Sequence, residues 1–88
     1  MAFLSKYDAL GDYLRACVGR RRVHLTFREI EQIIGDALPP SAREHREWWG
    51  NEVGPAARHS QCRAWMEAGW LVNEVDRNAG VVVFEEQR

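Results

Sequence analysis

Residues 23–34, VHLTFREIEQII, change their hydrophobic period partway along. Val23, Leu25 and Phe27 alternate with His24 and Thr26, the spacing of a short strand with one buried face. From Phe27 onward the apolar positions are Phe27, Ile30, Ile33 and Ile34, which recur at helical steps. Thr26 precedes the change and Glu29 stands three residues later, the pattern in which each side chain binds the other's backbone N–H at a helix start. A strand that feeds directly into a capped helix is therefore the first expectation, with Gly35 ending the helix after about two turns.

Toward the N-terminus, Phe3, Leu4, Tyr7, Leu10, Tyr13, Leu14, Cys17 and Val18 fall at steps of three and four, predicting an amphipathic helix over residues 3–18. Gly11 weakens it, Gly19 closes it, and Arg20, Arg21 and Arg22 make a basic turn into the strand. Downstream, Leu38, Pro39 and Pro40 set a rigid turn. Ser41, with Glu44 three residues on, predicts a capped short helix reaching Trp48 or Trp49, and Gly50, Asn51, Gly54 and Pro55 then break the chain. Residues 56–68 read as a further helix with Ala57, Gln61, Cys62 and Trp65 at helical spacing. Gly69 ends it, and Trp70, Val72 and Val75 open a strand whose hairpin partner is Val81–Phe84. In the linking turn Asn78 and Gly80 are expected to supply left-handed backbone.

This order predicts one α+β domain over residues 1–88, winged-helix-like. It has three to four helices, and the short strand and the C-terminal β-hairpin form a three-stranded antiparallel sheet. A chain of 88 residues supports one core, and 45% hydrophobic residues with four tryptophans is a globular composition. The formal net charge is −1, so there is no global basic field. Eleven of the twelve basic residues are arginine. That suits phosphate recognition by planar guanidinium groups, and it equally follows from a GC-rich genome. Cys17 and Cys62 lie in apolar helical patterns without CxxC spacing and read as buried free thiols. With no secretory leader and no apolar run of roughly 20 residues, a cytoplasmic location and no membrane partner are expected.

The string LTFREIEQIIGDALPPSAREHREWWGN at residues 25–51, followed by AWMEAGW at 64–70 and VVVFEE at 81–86, resembles a small bacterial family known as a domain of unknown function. The shared pattern runs L-S/T-F-x-E-I-E, G-x-x-L-P-x-S-A, W-W-x-N, A-W-x-x-A-G-W and V-x-F, over residues 25–85. The resemblance implies a bacterial, archaeal or phage source. It brings no activity and no catalytic residues.

The residues themselves offer no catalytic set. The histidines are His24, His45 and His59, and no HExxH, GxSxG, P-loop or GxGxxG string occurs. His59 and Cys62, three apart, with His45 elsewhere, fall short of a metal-ligand pattern, so no metal, no cofactor and no enzymatic activity are expected. The leading expectation is a non-enzymatic DNA-binding module, a transcriptional regulator or a phage or defence accessory, with double-stranded DNA as partner. On the helix from Ala56, Arg58, His59, Ser60, Gln61 and Arg63 would face the groove, in a stretch without acids. Arg43, Arg46, Asn51 and the turn Arg20, Arg21 and Arg22 would hold phosphates, and the exposed ring of the pair Trp48 and Trp49, taken as Trp49 with Trp48 as the alternative, would stack on a sugar or base. The alternative is a protein-interaction domain on the same scaffold, anchored by an exposed tryptophan.

Overall fold

A computed structural model describes residues 5–52 and 60–87. The elements are α1 (Asp8–Ala16), β1 (Arg22–Thr26), α2 (Phe27–Ile34), α3 (Pro40–Glu44), a 3-10 turn (Arg46–Trp49), α4 (Ser60–Glu67), β2 (Trp70–Asp76) and β3 (Val81–Glu86). The protein is thus α+β, with four helices among the described residues and one antiparallel sheet in the order β1–β3–β2. No helix among the described residues is long and apolar enough to cross a membrane.

The Thr26 junction forms as its sequence predicts. Thr26 Oγ1 accepts from Glu29 N at 3.0 Å and Glu29 Oε1 accepts from Thr26 N at 2.8 Å, so α2 begins in the residue after β1 ends. Gly35 ends it at a φ of 72°. The first helix is shorter than its apolar repeat. Ser5 and Asp8 bind each other's backbone before its start, and the chain turns at Cys17–Gly19. Ser41 is not a cap: Pro39 holds that position and Pro40 opens α3, where its missing N–H costs nothing. Asn78 does not take the left-handed region either. In the hairpin turn only Gly80 does, at a φ of 69°, while Asp76 Oδ1 accepts from the amides of Asn78 and Ala79.

The sheet's inner face carries Val23, Leu25, Val82 and Phe84, whose rows are set by the pairings Val23 with Phe84 and Leu25 with Val82. β2 adds Trp70, Val72 and Val75, with a bulge at Asn73 between the pairs Val72–Phe84 and Glu74–Val83. Against this face pack Leu10 and Leu14 from α1, Phe27 and Ile30 from α2, and Cys62 and Trp65 from α4. Trp65 and Trp70 are both buried, as their positions in the helical and strand patterns predict. Helix α1 crosses α4 at Gly11, where a Cβ would stand 2.7 Å from the Ala64 carbonyl oxygen.

Two substitutions measure this packing. Trp65 is fully buried, and Trp65→Ala is expected to cost about 3–5 kcal/mol in urea unfolding. Gly11→Ala gains about 1 kcal/mol of helix propensity. The contact with backbone oxygen opposes it at about 1–3 kcal/mol, so a lower unfolding midpoint is the expected outcome, whereas an exposed helical glycine would give a higher one.

Candidate functional site

The region singled out by WWGN and AWMEAGW is mostly an internal joint. Trp49 is 2% exposed, its ring stacked on Phe27 at 5.4 Å on one side and on Trp65 at 6.0 Å on the other. Trp65 in turn meets the edge of Phe84 at 5.8 Å. Trp49 Nε1 donates to the Ala42 carbonyl at 2.8 Å, which satisfies its one polar atom. Trp49 therefore has no face to offer a base or sugar, correcting the expectation from sequence. In a 3-10 turn consecutive side chains point about 120° apart, and Trp49 is the inward one. Trp48 is half-buried and edge-on to both Trp49 and Tyr7.

Asn51 is likewise committed. Its Oδ1 accepts from Trp65 Nε1 at 2.9 Å and from Val72 N at 2.9 Å, while its Nδ2 donates to the Val72 carbonyl at 2.8 Å. One amide thus replaces a strand partner on the outer edge of β2, beside the bulge, and fixes the Trp65 indole. Both ends of the amide are thus engaged within the chain, although the residue is exposed. Gln61, expected near the groove-facing side of its helix, is buried at 7% and donates to the Trp48 carbonyl at 3.3 Å. Cys62 is also buried, and burial pushes its thiol up from the ordinary range, away from nucleophilic use. Cys17 and Cys62 are both buried and are not joined in a disulfide, and no group of metal-ligating residues forms among the described residues.

The arginines divide by partner and by place. Arg43 donates to Glu31 at 3.0 Å and lies 5.3 Å from the centre of the Phe27 ring. Glu31 also accepts from Leu38 N at 2.8 Å. That amide bond first, and Arg43 second, hold the Glu31 carboxyl below its ordinary range. Arg63 and Glu67 form an exposed pair one turn apart on α4, with Ser60 exposed at the start of that helix. Arg22 is bound to Glu85 at 3.1 Å. Arg20, Arg21 and Arg46 are exposed and form no ion pair among the described residues. Arg58 and His59 lie outside the described residues.

The turn arginines and Arg43 stand at opposite ends of β1. Arg20, Arg21 and Arg22 stand where β1 begins, and Arg43 lies over Phe27, where β1 ends, about 15 Å away along a five-residue strand. Near Arg43 the sequence reading missed Arg77. It reaches from the hairpin turn to the Glu44 carbonyl at 2.8 Å, tying the turn to α3. Phe27 N donates to the Gly80 carbonyl at 2.8 Å, so the start of α2, the hairpin turn and α3 meet at one end of the sheet. A lone arginine in the DRNAG turn was the available signal. Close by, Arg46, Trp49, Gly50, Asn51 and Val72–Val75 line a small cleft of about 170 Å³.

Residues 7–87 match the family model described as Domain of unknown function (DUF7662). The chain belongs to that family. Neither a curated protein nor a solved structure is significantly similar to it. A family so described assigns no role to any residue, so the function has to be argued from the geometry of the chain. Within that geometry, Asn51 in the WWGN string is a positioning residue. Asn51→Ala would leave the buried Trp65 N–H without an acceptor, and a loss of about 1–3 kcal/mol is expected by chemical denaturation. The amide of Val72 should also exchange faster. An unchanged midpoint with unchanged Val72 protection would remove the clamp role.

Proposed function

We propose that this protein is a non-enzymatic, winged-helix-like module that binds duplex DNA, with the β2–β3 hairpin as its wing. The observation that carries the reading is the sheet order β1–β3–β2, in which the terminal hairpin follows directly on α4 and its centre strand pairs with the strand after α1. That succession resembles the winged-helix one, with α3 and the 3-10 turn added between α2 and α4. It would place α4 against a groove and the turn holding Arg77 against the neighbouring backbone. Arg77 and Arg46 have no carboxylate partner among the described residues, which favours them as phosphate contacts. Arg63 is held only by an exposed pair with Glu67, a weak bond that phosphate can displace. Arg58 and His59 remain expected contacts from their place in the sequence just before α4.

The near-neutral charge makes this a local-patch binder. The competing protein-interaction reading rests on an exposed tryptophan; Trp49 is buried, which leaves the half-buried Trp48 as its anchor. Fluorescence titration with random duplex DNA at two salt concentrations tests the proposal. Binding should weaken steeply with salt, and Arg46→Ala and Arg77→Ala should each lower the log–log salt slope by about one unit. Arg58→Ala should instead relax preference at one base position if its side chain reaches a base edge, at about 1–3 kcal/mol. Salt-independent binding, or no loss in any of the three variants, would refute the DNA reading.

A further inference from the structure

Both outer strands of the sheet direct backbone groups outward, and on each a side chain closes part of them. On β2, the outward N–H and C=O of Val72 are closed by Asn51, and Arg77 ties the hairpin turn to α3. On β1 the pairing with β3 settles which groups turn outward. Glu86 N donates to the Arg21 carbonyl at 2.9 Å and Phe27 N donates to the Gly80 carbonyl at 2.8 Å. The odd-numbered residues therefore bond to β3, and the even-numbered ones direct their N–H and C=O away from it. The outward N–H of Thr26 is taken by Glu29. Those of Arg22 and His24, with their carbonyls, are taken by nothing among the described residues.

Arginines that form no ion pair among the described residues stand at both ends of this open stretch. Arg20 and Arg21 precede it and Arg28 follows in the first turn of α2, all exposed and without ion pairs among the described residues. Three carboxylates lie nearby, of which Glu85 is in an ion pair and Glu86 and Glu29 accept from backbone amides. Glu85 binds Arg22 and Asn73, Glu86 accepts from Gly19 N at 3.4 Å, and Glu29 serves the α2 cap. His24, exposed, stands between the two basic ends.

We propose that the β1 edge is the docking site for an extended acidic segment of a partner protein, which adds as a fourth strand. The backbone of Arg22 and His24 supplies the ladder, and Arg20, Arg21 and Arg28 select acidic side chains. A second copy of this chain fits poorly. Antiparallel self-pairing about His24 would bring Arg20 of one copy beside Arg28 of the other. Arginines at an edge can also serve only to keep strands apart, and that role predicts no peptide binding at all.

The test uses the full chain and a fluorescein-labelled peptide of alternating glutamate and valine, with a lysine–valine peptide as control. The acidic peptide should bind by anisotropy and slow amide exchange at Arg22 and His24 by about tenfold or more. Arg20→Ala with Arg21→Ala should weaken it about tenfold. His24→Pro removes an N–H that the fold does not use, at a position where an edge strand tolerates proline, so the protein should stay folded and lose the peptide. Should that variant unfold, an acidic peptide N-methylated at alternate residues carries the same arm and is expected not to bind. Absence of protection at Arg22 and His24, equal binding of the lysine peptide, or retained binding by folded His24→Pro or the N-methylated peptide would overturn the proposal. So would protection of these amides by duplex DNA, or by raised protein concentration alone.

Discussion

The constraint on which the molecule depends is the line of rings Phe27, Trp49, Trp65 and Phe84. It joins the first residue of α2, the 3-10 turn, the middle of α4 and the central strand. Each ring comes from a different element, so none of the four can be placed until the others are. Offset or edge-on aromatic contacts add about 0.5–1.5 kcal/mol each beyond the area they bury. Their larger effect is geometric. With Trp49 held between two parallel rings, the turn from α3 has one way to approach the sheet, and the polar atoms of that turn fall into reach of fixed partners.

Those partners complete the interior. Trp49 Nε1 finds Ala42, Trp65 Nε1 finds Asn51, and Gln61 finds the Trp48 carbonyl, so that among the described residues no buried side-chain polar atom is left without a bond. Asn51 does double service because the bulge at Asn73 lies beside its bonds to Val72. Asn51, the polar side chain of the WWGN stretch, lies at the exposed rim of the core and spends both ends of its amide on Trp65 and Val72.

The sequence was most legible where local rules and burial agree. The strand-to-helix change at Thr26, the left-handed stop at Gly35, the terminal hairpin and the burial of Trp65 and Trp70 all follow from period, cap and turn chemistry. The surface was less legible because the same residue types serve both inside and outside. A tryptophan flanked by Arg43, Arg46 and Asn51 looks like a stacking platform until the 3-10 turn rotates Trp49 inward. An asparagine and a glutamine in polar stretches look like surface contacts until a buried indole and a turn carbonyl claim them. The arginines could be counted from sequence, but which of them already hold a carboxylate depends on pairs such as Arg22–Glu85 and Arg43–Glu31, far apart along the chain.

The sheet order has one more consequence. β3 lies between β1 and β2, yet it comes after both in the chain. During synthesis β1 emerges with no strand to pair with, and Arg22 waits for Glu85, 63 residues later. The Phe84 ring that ends the aromatic line arrives just as late. Isolated helices this short are marginal in water, so neither the sheet nor the aromatic line can close before β3 has been made. Until then β1 and β2 are both open edges, with no central strand between them.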